Sequence, residues 1–320
     1  MYTTEKFLNF INETISNISY PCEPKGLYEP IEYTLAGGGK RIRPVLTLAT
    51  CSALGGTIDD AINQALGIEI FHNFTLLHDD VMDKADMRRG RPTVHIKWNE
   101  ETAILSGDAM LTMALQYACI GADDKIAQVI SLFNRTAMEV YEGQQYDMDF
   151  ENRNDVTVDE YLNMIRLKTS VLLGCACEMG ALMAGASNEV KSAFYQFGVK
   201  LGIAFQLQDD YLDTYGDPAV FGKKIGGDIL NDKKTWLLIS ALSEDKSGRL
   251  KALIGSTIAP DEKIAIVTAV YNDLNLGERC HTLIDKYAKE AIAELDKIHL
   301  SAEAKSFFVE LAQKSCRRTH

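Results

Sequence analysis

Two copies of one aspartate pattern are the residues of this sequence best suited to chemistry. They read His78-Asp79-Asp80-Val81-Met82-Asp83 and Gln208-Asp209-Asp210-Tyr211-Leu212-Asp213. On a helix, aspartates three or four residues apart lie on one face, and like charges at that spacing repel by about 0.2–0.5 kcal/mol per exposed pair. Carboxylate oxygens are ligands that Mg²⁺ prefers, and substrate phosphates usually complete its coordination. The pattern therefore predicts two magnesium sites that act on a phosphorylated ligand.

A solvated acidic helix face is the simplest alternative interpretation of one such motif. The repetition of the motif argues against it, because a second copy by chance is much rarer than one. Each copy also follows apolar residues, in segments 74–77 and 205–207, which is typical of a helix end that faces an interior. A calcium-binding EF-hand is excluded, because neither copy has the loop spacing of oxygen ligands around a central glycine.

Basic residues are concentrated in a few places, although the chain as a whole is acidic. The formal net charge of −12 excludes a general nucleic-acid binder. The clustered cations are Lys40, Arg41, Arg43, Arg88, Arg89, Arg91, Lys223 and Lys224. Arginine binds phosphate oxygens through two parallel N–H donors, so acidic and basic clusters together predict a Mg²⁺-diphosphate site. Segment 37–44 lacks the strand and spacing of a P-loop, and we interpret it as a second anion site before a helix.

Proline positions and apolar periodicity predict a helical protein. No proline lies between Thr93 and Asp217, so long helices are permitted there. Apolar residues recur at helical spacing along segments 70–81 and 190–212. Thr157 and Glu160 form a capping-box pattern before a helix over 161–173.

The remaining helix signals favour a single helical domain. Pro44 suits a first helical turn, and we expect Gly90 and Pro92 to end the helix of the first motif. No alternating segment demands a strand, and no linker-like tract divides the chain. We therefore predict an all-α fold with one domain over residues 1–320.

Composition also bears on cellular location. The apolar fraction of 46% is enough for a sizeable core, but no run of about 18 uncharged apolar residues is present. Segment 1–20 carries Glu5 and Glu13 where a signal peptide needs an apolar region, so we expect a cytoplasmic protein. The seven cysteines are scattered and odd in number, which is typical of reduced thiols that pack in the interior.

Together these motifs resemble the trans-isoprenyl diphosphate synthase (polyprenyl synthetase) family, in order from Gly38 to Thr235. Further matches are Gly143-Gln144, Lys168-Thr169, Phe205-Gln206, segment 222–228 and segment 233–235. The resemblance implies a helical bundle around a central cavity, a homodimer, and a prenyltransferase. That enzyme would join isopentenyl diphosphate to dimethylallyl, geranyl or farnesyl diphosphate and release a short all-trans prenyl diphosphate.

The resemblance also implies roles for single residues. Three Mg²⁺ ions and the allylic diphosphate would be bound by Asp79, Asp80, Asp83, Asp209, Asp210 and Asp213. Isopentenyl diphosphate would be held by Lys40, Arg43, His72 and Arg89. The allylic diphosphate would also contact Arg88, Lys168, Lys223 and Lys233. Lys168, Thr169 and Gln206 would be the catalytic residues, with Thr169 and Gln206 stabilising the allylic cation, and the released diphosphate would accept the proton.

Product length is predicted from the helix that precedes the first motif. If the growing tail runs back along this helix, each turn advances it by about 5.4 Å, comparable with one isoprene unit. Phe71, Phe74 and Thr75 then form the floor. Two aromatic rings block a long tail and Thr75 leaves some room, which favours the C20 product, geranylgeranyl diphosphate, ahead of C15 farnesyl diphosphate. The alternative is a floor elsewhere, near Met110 or across a dimer interface.

Two other functions stay open at this stage. A class I terpene cyclase shares the metal-triggered ionisation, but it predicts a second metal motif with Asn/Asp, Ser/Thr and Glu ligands and needs no separate isopentenyl site. A non-catalytic regulatory subunit of a prenyl synthase would be expected to lose aspartates or arginines. Both aspartate motifs and both adjacent arginines are intact here.

Overall fold

A computed structural model describes residues 2–216, 225–256 and 258–316. Its helices are α1 Thr4–Ser16, α2 Lys25–Leu35, α3 Ile42–Ala53, α4 Ile62–Met82, α5 Val94–Lys97, α6 Glu100–Cys119, α7 Ile126–Glu151, α8 Val158–Ile165, α9 Val171–Met183, α10 Asn188–Tyr215, α11 Gly227–Leu230, α12 Trp236–Glu244, α13 Arg249–Leu253, α14 Pro260–Asp273, α15 Leu276–Leu295 and α16 Ala302–Cys316. A 3₁₀ turn spans Asp123–Lys125 and a π-helical turn spans Arg166–Ser170. Two short strands, β1 Met87–Arg88 and β2 Arg91–Pro92, form one antiparallel hairpin. The predicted all-α class is confirmed.

The chain divides into two compact units. Unit 1 comprises Met1–Thr136, Cys175–Tyr195 and Leu300–Ala304, and unit 2 comprises Ala137–Gly174, Gln196–His299 and Lys305–His320. A single domain over 1–320 stays a prediction. Among the described residues, no helix combines the length and the apolar character that a membrane crossing requires.

In unit 1, α4 is the central element of the site. It packs most extensively on α6 and also contacts α3. Its apolar residues Ile70, Phe74 and Leu77 are buried, as the helical periodicity predicted, whereas Val81 is only half-buried. Because α4 is held along its length by its neighbours, the aspartates at its C-terminal end have a fixed position.

The end of α4 differs from the sequence prediction. The helix ends at Met82 rather than near Gly90, and Asp83 is its C-cap. The chain then forms the hairpin, which the sequence analysis did not predict, with a turn at Arg89 and Gly90, where φ is 52° and 72°. Two consecutive positive φ angles suit a two-residue hairpin turn. Glycine in this segment therefore shapes a turn and does not terminate a helix.

The predicted helix over 161–173 in unit 2 is interrupted. Thr157 and Glu160 form the predicted capping box, and α8 follows it. Arg166–Ser170 is a π-helical turn, in which the Ser170 hydroxyl donates to the Ile165 carbonyl at 3.2 Å. A π turn inside a helix is frequent at functional sites, and this one carries Lys168 and Thr169.

Candidate active site

The first aspartate motif lies at the C-terminal end of α4. Asp79 is half-buried, Asp80 is buried and Asp83 is exposed. The negative end of a helix dipole favours cations, so three carboxylates there increase the demand for positive charge. The hairpin supplies part of this positive charge through Arg88. The Arg88 Nε atom lies 2.8 Å from both carboxylate oxygens of Asp80. Burial nevertheless raises the pKa of Asp80, and Asp83 adds to this effect while Arg88 opposes it.

His72 lies two helical turns before the motif and is surrounded by arginines. An Nη1 atom of Arg43 lies 3.1 Å from Nε2 of His72. Burial lowers the pKa of His72 well below its usual range, and the positive charges of Arg43, Arg89 and Arg88 lower it further. The imidazole is therefore neutral. Its Nε2 accepts the hydrogen bond from Arg43, so its proton is on Nδ1.

The glycine-rich segment lies against Arg89. Arg89 donates to the carbonyl of Gly38. A Cβ atom on Gly39 would lie 2.8 Å from the Arg89 guanidinium, and Gly39 has a φ of 129°, so only glycine fits this position. Lys40 follows directly and is exposed. The structure thus brings the segment that carries Lys40 together with Arg43, His72 and Arg89. These are the four residues predicted to hold one diphosphate.

Arg41 has a different environment from its neighbour Arg43. It is buried, and its guanidinium binds Glu69 of α4 at 2.5 Å and donates to the Leu35 carbonyl at 2.6 Å. Asn73 also donates to Glu69 at 2.9 Å. Arg41 thereby anchors the glycine-rich segment to α4. The sequence analysis counted Arg41 in the basic cluster but did not predict this contact.

The predicted chain-length residues lie on α4 before the motif. Phe71 and Phe74 are 1% and 5% exposed, with ring centroids 5.6 Å apart. Phe71 also contacts the ring of Phe133 edge-on at 5.3 Å. The Thr75 hydroxyl donates to the His72 carbonyl at 2.8 Å, which satisfies it within the helix. The structure thus places two aromatic layers before Asp79.

In unit 2, the second aspartate motif lies near the C-terminal end of α10. Asp209 is half-buried and Asp210 is buried. The Tyr161 hydroxyl donates to one carboxylate oxygen of Asp210, and Gln206 Nε2 donates to the other at 3.0 Å. Burial raises the pKa of Asp210 to about 7, against the lowering effect of Lys233. The sequence analysis missed Tyr161, which lies 49 residues from its partner.

The Asp213 side chain is already hydrogen-bonded to the backbone of the protein. One of its carboxylate oxygens accepts from the backbone N–H of Asp228 at 2.8 Å. Asp228 in turn lies 3.9 Å from Nζ of Lys233, and its charge raises the pKa of both Asp210 and Asp213. Asp228 is thus a fourth carboxylate of this cluster that the prediction omitted. Lys223, predicted to bind the allylic diphosphate, lies outside the described residues.

The π-helical turn presents the predicted catalytic residues. Lys168 Nζ binds the Asp147 carboxylate at 2.6 Å, and the Thr169 hydroxyl donates to Gln206 Oε1 at 3.2 Å. Gly143 allows this arrangement, because a Cβ atom there would collide with the backbone of Lys168. The predicted trio of Lys168, Thr169 and Gln206 is therefore assembled in unit 2. The sequence analysis missed Asp147, although it follows Gly143-Gln144 by three residues.

Comparisons with known proteins identify the family. The polyprenyl synthetase family model matches residues 24–274. The chain belongs to the polyprenyl synthetase family. It is 40% identical over 268 residues to a short chain isoprenyl diphosphate synthase of Methanocaldococcus jannaschii, covering 82% of this chain and 81% of the relative. It is 37% identical over 312 residues to a geranylgeranyl pyrophosphate synthase of Geoglobus acetivorans, covering 97% and 96%.

Structural similarity agrees with family membership. A crystal structure of a geranylgeranyl pyrophosphate synthase matches with a TM-score of 0.96 and 43% identity, covering 100% of both chains. The predicted enzyme class, a trans-prenyltransferase of the short-chain isoprenyl diphosphate synthase kind, is confirmed.

The donor atoms of both motifs suit the Mg²⁺ ions that the family uses. Within the described ranges, no group of three or more His, Cys, Asp or Glu side chains could by itself hold a metal ion. In proteins, Mg²⁺ usually binds one or two carboxylates and takes its other ligands from water and phosphate. The raised pKa values of Asp80, Asp210 and Asp213 also indicate carboxylates whose negative charge is under-compensated. The carboxylate sets therefore fit Mg²⁺ with diphosphate.

The raised pKa of Asp210 predicts a pH-dependent stability. Its ordinary value is 3.8 and its folded value is about 7, so between these values the folded protein binds a proton that the unfolded chain does not. Stability from this group is therefore lost as the pH rises from about 4 to about 7. We expect the melting temperature of the ligand-free protein to fall between pH 5 and pH 8. The melting temperature of Asp210→Asn should fall less over this pH range. An equal fall in both proteins would contradict the raised pKa of Asp210.

Proposed function

We propose that this protein condenses isopentenyl diphosphate with dimethylallyl, geranyl and farnesyl diphosphates and releases geranylgeranyl diphosphate, C20, as its main product. One observation carries the proposal. Unit 1 gathers Arg43, neutral His72 and Arg89 against the glycine-rich segment, beside an aspartate motif with its own arginine, Arg88. A single-substrate enzyme such as a cyclase needs no separate isopentenyl site, whereas this second cationic cluster suits a second diphosphate.

The metal ions and the allylic diphosphate are assigned to the two aspartate motifs. Asp79, Asp80, Asp83, Asp209, Asp210 and Asp213 would hold three Mg²⁺ ions, and Asp213 would keep its contact with the Asp228 backbone. When bound, Mg²⁺ neutralises the charge of the leaving diphosphate. Arg88 Nε lies 2.8 Å from the Asp80 carboxylate. In the complex, Arg88 would exchange this carboxylate for two phosphate oxygens, which can accept two parallel N–H bonds from one guanidinium.

Isopentenyl diphosphate is assigned to Lys40, Arg43, His72 and Arg89. Arg43 and Arg89 supply planar forks of N–H donors, and His72 orients Arg43 by accepting its hydrogen bond. Since His72 is neutral, it adds no charge that would need a counter-ion before substrate binds. Holding the homoallylic substrate in this way places it next to the allylic partner, and such orientation removes a large entropic part of the barrier.

Lys168, Thr169 and Gln206 are assigned to the ionisation step. Lys168 would move from Asp147 to the allylic diphosphate and stabilise the charge of the leaving group. Thr169 and Gln206 are hydrogen-bonded to each other, and their oxygens would stabilise the developing allylic cation. Lys223 and Lys233 would contribute further contacts to the same diphosphate. After the new carbon–carbon bond forms, the isopentenyl unit loses a proton, and the released diphosphate would accept it.

Incubation with isopentenyl diphosphate, Mg²⁺ and each allylic primer in turn tests this function. Chromatography of the dephosphorylated products should show geranylgeraniol as the main alcohol from every primer. Absence of condensation with all primers would overturn the proposal and favour a non-catalytic subunit. Cyclic hydrocarbons from a supplied prenyl diphosphate would favour the cyclase, and a main product beyond C25 would overturn the short-chain assignment.

Substitution of Arg89 or Lys40 tests the separation of the two diphosphate sites. Arg89→Gln and Lys40→Gln should each raise the KM for isopentenyl diphosphate by about tenfold or more, since a hydrogen bond to a charged group contributes about 1.5–3 kcal/mol. The KM for the allylic substrate should change less. Lys84→Gln is the matched control, because Lys84 is an exposed cation between the first motif and the hairpin. A larger change for the allylic substrate would reverse the assignment of the sites.

A homodimer and a cytoplasmic location complete the proposal. On α6, Ile104 and Leu105 are 47% and 61% exposed, and their burial against a second copy would be favourable. Sedimentation velocity at several protein concentrations measures the assembly state directly.

A further inference from the structure

Arg91 is a third arginine of the unit 1 cluster that none of the roles above uses. It lies in β2, and its register partner in β1 is Arg88. Residues directly opposite in an antiparallel pair have their side chains on the same face, with Cβ atoms about 5 Å apart. Like charges in this position are destabilising. The register therefore places two arginines side by side on the hairpin at an electrostatic cost, which an anion near them would offset.

These arginines line a common pocket. A pocket of about 50 Å³ in unit 1 is lined by Arg88, Arg89 and Arg91, with Gly37, Asn73 and Asp80 among its other lining residues. Of the described residues that line it, Asp80 is the single carboxylate, and Arg88 already binds it. Among the described residues, Arg91 forms no ion pair with a carboxylate. The pocket thus has a surplus of positive charge.

Tyr33 fixes the direction of Arg91. The Arg91 guanidinium lies 3.9 Å from the centroid of the Tyr33 ring, and its Nη1 donates to the Tyr33 carbonyl at 3.4 Å. The Tyr33 hydroxyl donates to the carbonyl of Pro92 at 2.8 Å, which ties the ring to the hairpin. Stacking occupies the face of the guanidinium and leaves N–H donors at its edge. An arginine held in this way loses little entropy on binding an anion.

The position of Arg91 indicates which diphosphate it serves. A Cβ atom on Gly37 would lie 3.8 Å from Arg91 Nη1, so the guanidinium lies beside the start of the glycine-rich segment. Arg89 lies against the same segment at Gly39. Arg88, by contrast, is directed to Asp80 of the metal motif.

We propose that Arg91 is a binding residue for the diphosphate of isopentenyl diphosphate, held in place by stacking on Tyr33. This inference rests on the proposed condensation for the identity of the ligand. The charge-assisted contact would add to those of Lys40, Arg43 and Arg89. Its loss should weaken binding of the homoallylic substrate more than it changes turnover at saturation.

The test compares Arg91→Gln with Lys97→Gln. Lys97 is the matched control, because its Nζ lies 3.9 Å from the same Tyr33 ring but it does not line the pocket. Arg91→Gln should raise the KM for isopentenyl diphosphate by about tenfold with kcat and the allylic KM little changed, as expected for one charge-assisted contact. Lys97→Gln should leave all three constants unchanged. Arg91→Lys keeps the charge without the planar fork and should show a smaller rise.

Three results would overturn the role of Arg91: an unchanged isopentenyl KM in Arg91→Gln, an equal rise in Lys97→Gln, or a larger rise for the allylic substrate. Calorimetry with inorganic pyrophosphate separates this inference from the proposed reaction. If the wild-type protein forms no condensation product, weaker pyrophosphate binding in Arg91→Gln than in Lys97→Gln still supports the anion contact. Equal pyrophosphate binding in all proteins contradicts it. Arg91→Lys serves for both measurements if Arg91→Gln does not fold.

Discussion

Replacing Asp80 or Asp209 by alanine is expected to lower kcat by at least about a thousandfold, because the lost charge stabilisation amounts to several kcal/mol and each 1.36 kcal/mol is a factor of ten. Asp80 is buried at the end of α4, and its pKa is raised by burial. Its negative charge therefore does not stabilise the fold, so its removal should affect metal binding more than folding. Steady-state kinetics at saturating Mg²⁺ and substrates measure the effect.

Three additional proteins make this test specific. Asp80→Asn and Asp209→Asn keep the side-chain volume and should lose nearly as much activity as the alanine variants. Asp86→Asn is the matched control, because Asp86 is an exposed aspartate close to the motif. Its hydrogen bond with Thr93 is made by the backbone carbonyl, which the substitution keeps. Thermal stabilisation by Mg²⁺ with pyrophosphate should disappear in the motif variants and persist in the control. Near-normal kcat in Asp80→Ala or Asp209→Ala would contradict the metal assignment.

Truncation of Phe74 is expected to lengthen the main product from C20 to C25. Phe74 is the aromatic ring closer to the first motif, and Phe71 lies behind it by about one turn. Removing the first ring opens space comparable with one isoprene unit, about one helical turn, and leaves Phe71 as the next floor. The double variant Phe71→Ala/Phe74→Ala should extend the product further. Chromatography of the dephosphorylated products gives the distribution.

The control for this truncation is Phe7→Ala. Phe7 is a fully buried phenylalanine of α1, so both truncations remove the same atoms from a packed core at a cost of about 3–5 kcal/mol. A loss of stability alone would affect both proteins, whereas a change in product length should be confined to Phe74→Ala. An unchanged product in Phe74→Ala would show that the floor lies elsewhere. Longer products from Met110→Ala alone would place it on α6.

Local sequence determined the helices and the position of the chemistry on them. The periodicity along 70–81 and 190–212 is a property of neighbouring residues, and α4 and α10 cover both segments. The capping box at Thr157 also formed as predicted, because all of its donors and acceptors lie within four residues. The two aspartate motifs therefore lie near helix ends as their apolar preceding segments indicated. Family-specific motifs then identified the chemistry, which helical periodicity by itself does not.

Tertiary packing decided which partner each charged side chain found. Arg41 and Arg43 are two residues apart, yet one is buried against Glu69 and the other contacts His72, each across 28 or 29 residues of sequence. Asp147 with Lys168 and Tyr161 with Asp210 are likewise separated by 21 and 49 residues. The π-helical turn depends on the close approach of Gly143 to the Lys168 backbone, which no local pattern records. Such pairings follow from how the helices pack, whereas periodicity specifies only which face of each helix is buried.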